Sequence, residues 1–179
     1  FVKQLEENGV YYIDNETEML QLTKTVLNHD MKMVRKMEGK SAMDILEEAG
    51  IHPNRPVRLV VVRTFAKHPL VLEECLMPVV PLVAVADFEE ALETALFTEQ
   101  GYRHTAMVHS QCIDRLSKAA KIMNTTVFIK NGSSLAGIGL NGEEMASFTI
   151  ANVTGEGITT ARDFACKRSC TLTSGFSLR

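Results

Sequence analysis

The sequence predicts an α/β fold, a largely parallel sheet flanked by helices, and two observations carry that prediction. Between residues 79 and 130 the pattern reads strand, helix, strand, helix, strand with short connections. Such alternation buries both kinds of element when the strands run parallel and the helices cross over them. Upstream, the run Val57-Arg-Leu-Val-Val-Val-Arg63 is too uniformly apolar for a strand with one wet face and suits one covered on both. The 179 residues, 45% hydrophobic and 23% charged, are ordinary for a globular chain of one domain, or one domain with a small appendage.

Taken in order, residues 2–7 predict a short helix ended by Gly9, because glycine takes the left-handed conformation after a last turn at no steric cost. Residues 10–13, Val-Tyr-Tyr-Ile, read as a short strand. From Asp14 onward Met19, Leu20, Thr23, Val26 and Leu27 fall on one helical face, with Asp14 or Asn15 placed to accept from the first free N–H groups. Ser41-Ala-Met-Asp44 is a capping box that opens a short helix closed by Gly50, and His52-Pro-Asn-Arg-Pro56 follows as a rigid turn. The strand over 57–63 comes next. A second apolar run occupies 79–86, and because Pro81 has no N–H to give a ladder, the strand is expected to begin at or after it.

Asp87 starts a further helix: Glu90 completes a capping box, Phe88, Ala91, Leu92, Ala95 and Leu96 recur at helical spacing, and Gly101 is the stop. Residues 105–109 read as a strand and Ser110 as the next N-cap. Ile113, Leu116, Ala120 and Met123 form the buried face of a helix ending at Asn124, and 126–130 form a strand. Beyond Asn131 the glycines Gly132, Gly137, Gly139, Gly142, Gly155 and Gly157 crowd together, either as functional loops over the sheet or as turns of no special role. Residues 166–172 alternate weakly, as an edge strand would.

Composition excludes several functions. Nineteen Lys and Arg against 22 Asp and Glu leave a net charge of -3, with no basic field to hold a nucleic-acid backbone. The longest apolar runs, 57–62 and 79–86, fall well short of the ~20 residues a membrane helix needs. The chain opens on Phe1 with no basic and apolar leader behind it, and the expectation is a trimmed piece of a longer chain. Cys75, Cys112, Cys166 and Cys170 show no paired C-x-x-C spacing and no ligand-spaced histidines, so neither a disulfide framework nor a metal site is expected and a reducing compartment fits.

Several constellations could carry chemistry. Gly137-Ile-Gly-Leu-Asn-Gly142 matches the G-x-G-x-x-G pattern that lets backbone N–H groups approach a pyrophosphate. The preceding strand ends several residues too early, and Glu143 and Glu144 follow where the phosphate would sit, so a glycine-rich surface loop is the other reading. His104 and His109 are five apart on one predicted strand, hence on opposite faces with one toward the core, and cannot share a metal. His104 is the better placed for a cleft at the mouth of the sheet, unless it is a capping or surface histidine. Glu73 and Glu74, beside the turn Leu76-Met-Pro78, could fix a ribose hydroxyl or form a solvated helix end. Arg162, Lys167, Arg168 and Arg179 make the C-terminal segment locally basic, to meet a phosphate or simply as a solvated edge.

Four segments together carry a resemblance: His104-Thr-Ala-Met-Val-His-Ser110, Phe128-Ile-Lys-Asn-Gly132, Thr154-Gly-Glu-Gly-Ile-Thr159 with Ala161-Arg162, and Ser174-Gly-Phe-Ser-Leu-Arg179. In order along the chain they resemble the C-terminal part of the CoA-acylating aldehyde dehydrogenases of ethanolamine and propanediol utilisation. The resemblance implies NAD-dependent oxidation of a short aldehyde (acetaldehyde or propionaldehyde) to its acyl-CoA, or the reverse, through a cysteine thiohemiacetal and a thioester, with NAD and coenzyme A as cofactors. It places the glutamate that contacts the nicotinamide ribose on Glu74, the residue beside the nicotinamide on Leu76, and the histidine that assists proton transfer or CoA thiol attack on His104.

None of the four cysteines falls on the family's nucleophile position, which, like the cofactor-binding fold, is expected upstream of Phe1. The resemblance therefore implies a catalytic-domain body over 1–165, a C-terminal oligomerisation strand and tail over 166–179, and no activity for this piece alone. It also implies a homo-oligomer, no nucleic-acid or membrane partner, and a cytoplasmic setting, including the interior of a bacterial microcompartment. The alternative is a non-catalytic α/β ligand-binding or oligomerisation module.

Overall fold

In a computed structural model, the β-branched stretch Leu59–Thr64 is the central strand of a parallel three-stranded sheet, between Val10–Ile13 and Val79–Val83. The structure describes residues 1–142 and, beyond them, 159–161, 165, 166, 168, 169, 171 and 173. They divide into two compact units, residues 1–101 and 102–179.

The first unit runs α1 (Val2–Glu7), β1 (Val10–Ile13), α2 (Glu16–Val26), α3 (Ala42–Glu48), β2 (Leu59–Thr64), α4 (Pro69–Leu72), β3 (Val79–Val83) and α5 (Phe88–Glu99). Val60, Val61 and Val62 are all buried, which alternation of side chains permits only for a strand covered on both faces. Val60 and Val62 join Ile13 of β1, Leu22 and Val26 of α2, Ile45 and Leu46 of α3 and Leu70 of α4 in one apolar core. Truncating such a side chain to alanine costs about 2–5 kcal/mol.

Three caps of the first unit fall where the sequence places them. Asn15 accepts from the Glu18 N–H at the start of α2, Ser41 and Asp44 form the reciprocal box at α3, and Asp87 accepts from the Glu90 N–H at α5. Glu90 reaches one residue past the expected partner, to the Ala86 N–H. On α3, Glu48 receives both Lys36 and Lys40, and these ammonium groups hold its carboxyl below the usual carboxylate range.

Pro81 corrects an expectation. It lies inside β3 rather than at its start, opposite Val62. The Val60 N–H donates to the Pro78 carbonyl, and in a parallel ladder that register turns the amides of Val80 and Leu82 toward β2 and the Pro81 nitrogen toward the open edge. Leu20 and Leu96, expected in buried helix faces, are exposed, while Leu22 and Leu92 are buried.

The second unit contains β4 (Thr105–Val108), α6 (Ile113–Met123) and β5 (Val127–Lys130), with β4 and β5 paired in parallel from Thr105 opposite Val127 to Val108 opposite Lys130. The expected strands from 79 to 130 thus belong to two sheets, β3 to one and β4 and β5 to the other. Leu116, Ala119 and Met123 form the buried face of α6, and Ile113, expected there, is exposed. The N-cap is Cys112 rather than Ser110, whose hydroxyl instead accepts the Cys112 N–H. Asn124 ends the helix in the left-handed conformation. A 3-10 turn, Ser134–Ile138, follows β5. The strand expected over 166–172 falls largely outside the described residues, as do Gly155, Gly157, Arg162, Lys167, Cys170 and Arg179.

Candidate functional site

In the first unit, the site residues sit on the link between α4 and β3. Pro69 opens α4 at its first turn, where the missing N–H is not needed, and His68 caps it, its Nδ1 accepting from the Leu70 N–H at 3.2 Å. His68 is buried and meets the Phe65 ring edge-on at 5.4 Å, and burial holds its imidazole below the usual histidine range. The chain leaves α4 extended at Glu73, φ -99 and ψ 146.

Along the link, exposure alternates: Glu73, Cys75 and Met77 are half-buried, Glu74 and Leu76 exposed. The two residues singled out for cofactor contact therefore share the solvent side. Glu74 makes no hydrogen bond or ion pair among the described residues, leaving both carboxylate oxygens open to a pair of adjacent hydroxyl donors, and Leu76 offers an apolar surface two residues on. Cys75 turns inward, its Sγ donating toward the carbonyls of Leu70 at 3.5 Å and Glu73 at 3.7 Å. Burial, and then the Glu73 charge, push its thiol up to about 11, so the nucleophilic thiolate is scarce at neutral pH.

His104 belongs to the second unit, immediately before β4. Its carbonyl accepts the Val127 N–H at 3.0 Å and that of Arg103 accepts the Thr126 N–H at 3.0 Å, so the parallel ladder fixes the backbone. The exposed imidazole contacts the Thr105 hydroxyl through Nδ1 at 2.6 Å, leaving Nε2 without a partner among the described residues. His109, at the other end of β4, is exposed too, which corrects the expectation that one of the pair faces the core: β4 has only four residues and both histidines lie beyond it.

Within the G-x-G-x-x-G segment, packing against the chain's own atoms accounts for two of the glycines. A Cβ at Gly137 would lie 2.6 Å from Val127 Cγ1, and one at Gly142 would lie 2.4 Å from the Ala136 carbonyl oxygen. The chain's own atoms therefore fill those approaches. A cleft of about 440 Å³ in the first unit, lined by Glu6, Tyr11, Asn15, Glu18, Asn54 and Arg55 among others, is no better for an anion. Its carboxylates are Glu6 of α1 and Glu18 in the first turn of α2, and Arg55 donates to the Val10 carbonyl. Sequence reasoning missed His68 and Lys32. The His-Pro step before an apolar stretch was the available signal for the first; the Lys32 contact with Glu73 spans 41 residues and left none.

No family model matches the sequence. Among known proteins, the propanal dehydrogenase (CoA-propanoylating) of Salmonella typhimurium is 50% identical over 146 residues, 81% of this chain and 32% of the relative. The same organism's acetaldehyde dehydrogenase (acetylating) is 41% identical over 144 residues, 80% of this chain and 31% of the relative. The homologues of this chain are CoA-acylating aldehyde dehydrogenases.

The chain spans about a third of the length of those curated relatives. The fold of the acylating aldehyde dehydrogenases matches as well. The propionaldehyde dehydrogenase of Rhodopseudomonas palustris with bound propionyl-CoA superposes at a TM-score of 0.87 with 40% identity, over 94% of this chain and 37% of that one. An engineered glycolyl-CoA reductase with bound NADP+ gives 0.87 and 40%, over 94% and 38%. A propionaldehyde dehydrogenase from the fucose utilisation bacterial microcompartment of Clostridium phytofermentans gives 0.84 and 35%, over 98% and 40%. The parallel α/β architecture read from the sequence is that of these acylating enzymes.

Proposed function

We propose that this chain is the C-terminal portion of an NAD-dependent CoA-acylating aldehyde dehydrogenase that interconverts a short aldehyde, propanal or acetaldehyde, with its acyl-CoA. The observation that carries the reading is the 50% identity to a propanal dehydrogenase along 81% of the chain. Residues 1–165 are the catalytic-domain body, and 166–179 form a C-terminal strand and tail that joins a second copy. The working protein is soluble in the cytoplasm or enclosed in a microcompartment, the setting of the Clostridium phytofermentans relative.

When bound, the nicotinamide cofactor supplies hydride chemistry and coenzyme A supplies the acyl-accepting thiol. Glu74 accepts from the ribose hydroxyls, Leu76 packs on the nicotinamide, and His104, steadied at Nδ1 by Thr105, takes or returns the thiol proton at Nε2. The covalent step belongs to a cysteine outside this chain, since none of its four cysteines matches the family's nucleophile position; the Cys75 thiol, beside the site, is held protonated between two backbone carbonyls.

The test is reduction of propanoyl-CoA with NADH by the full-length protein. His104→Ala is expected to lower kcat on the order of 10²-fold or more with thermal stability unchanged, and the 179-residue chain alone is expected to be silent. Turnover by the isolated chain that His104→Ala abolishes would overturn the reading of a portion lacking its nucleophile.

A further inference from the structure

The cofactor-facing side of the α4–β3 link has a held side opposite it. Backbone hydrogen bonds fix the link at two points: the Gly39 N–H donates to the Leu76 carbonyl at 3.0 Å and the Val60 N–H to the Pro78 carbonyl at 3.0 Å. Side chains fix it at two more. Lys32 Nζ donates to Glu73 Oε1 at 2.5 Å, and the Cys75 thiol lies against the Leu70 carbonyl at 3.5 Å.

Lys32 is itself presented from a closed turn. The Asn28 carboxamide oxygen accepts the N–H groups of Asp30 and Lys32 at 2.9 and 3.0 Å. The Asn28 N–H donates to the Lys32 carbonyl at 2.9 Å, and Leu27 bridges to Met33. Glu73 and Cys75 are half-buried and Glu74 and Leu76 exposed in alternation along the link, so holding the first pair constrains the second.

We infer that Lys32, through its ion pair with Glu73, and Cys75, through its hydrogen bond to Leu70, are positioning residues that aim Glu74 and Leu76 at the nicotinamide cofactor; this rests on the function proposed above. The Lys32 side chain is 65% exposed and that of Glu73 28%, and ion pairs this open contribute little to stability. Their loss is therefore read in cofactor binding rather than in unfolding.

The experiment is steady-state kinetics and direct NAD+ titration of the full-length protein carrying Lys32→Met, Glu73→Gln, the two together, Lys32→Arg and Cys75→Ala. Lys32→Met and Glu73→Gln are each expected to raise KM and Kd for NAD+ about two- to fivefold, with KM for CoA and the thermal midpoint unchanged. The double variant should be no worse than either single one, Lys32→Arg should restore binding, and Cys75→Ala should act in the same direction. Unchanged NAD+ binding in active variants, or an equal rise in KM for CoA, overturns the inference alone. A parent protein that neither binds NAD+ nor reduces acyl-CoA overturns the functional reading, and this inference with it.

Discussion

Asn131 grips Ser110 with both ends of its carboxamide. Its Oδ1 accepts the Ser110 N–H at 2.7 Å while its Nδ2 donates to the Ser110 carbonyl at 2.9 Å. The Asn131 N–H adds a bond to the Val108 carbonyl at 2.9 Å, so one residue ties the end of β5 to the end of β4 and the approach to α6. Asn131 sits at φ 55, a left-handed conformation that asparagine tolerates better than other residues with a Cβ.

Asn131→Ala removes both side-chain bonds and leaves an unfavourable backbone, and is expected to lower the unfolding free energy by about 1–3 kcal/mol. Asn131→Gly removes the same bonds but relieves the backbone, and should cost less. Urea denaturation of both variants checks the order. Equal losses would show that φ at this position carries no cost.

What the sequence made legible was set by local physics. Asn15, Ser41 and Asp87 are short-range devices, each bonded three residues on, and so their helices begin where the letters say. Pro81 and Leu96 misled because their placement depends on which strand lies alongside and what covers the helix, and neither is written nearby. In the candidate site, Glu74 and His104 stood out by their local context and Leu76 by motif resemblance, whereas Lys32, paired with Glu73 across 41 residues, left no pattern within a helical or strand period.

Gly137 is required by packing. Its backbone lies so close to β5 that an added Cβ would be 2.6 Å from Val127 Cγ1 and 3.3 Å from Ile129 Cδ1. Both side chains are themselves buried. Gly137→Ala is expected to destabilise by about 1–3 kcal/mol through overpacking. Combining it with Val127→Ala opens the space, so the double variant should lose less than the sum of the singles. Thermal unfolding of the four proteins reads the coupling, and strict additivity would refute the contact.

His68 gives the first unit an acid limb. Its Nδ1 must stay unprotonated to accept the Leu70 N–H, and burial depresses its folded pKa below the value of about 6.5 expected when unfolded. A depressed pKa contributes stability that is present above the unfolded value and lost as pH falls through the folded one. Stability should therefore decline below about pH 6.5. His68→Asn keeps an N-cap acceptor without a titrating group and should flatten that decline in denaturant midpoints measured from pH 7 to 5. An unchanged slope would place the acid sensitivity elsewhere.

Cys75 should behave oppositely in alkali. Burial and the neighbouring Glu73 charge raise its folded pKa from 9.0 to about 11, so the folded state keeps the proton that the unfolded state gives up. That contribution is fully present below pH 9 and is lost as pH rises toward 11. Tyr11, raised by burial and by its hydrogen bond to Glu18, adds to the same loss. Reactivity follows the thiolate: at pH 8, iodoacetamide should modify the exposed Cys112 well before Cys75, as peptide mass mapping would show. Glu73→Gln removes the like charge and should speed labelling of Cys75 while leaving Cys112 unchanged. Were Cys75 to react first in the folded protein, the thiol would not lie between the Leu70 and Glu73 carbonyls, and the case for an external nucleophile would lose its chemical support.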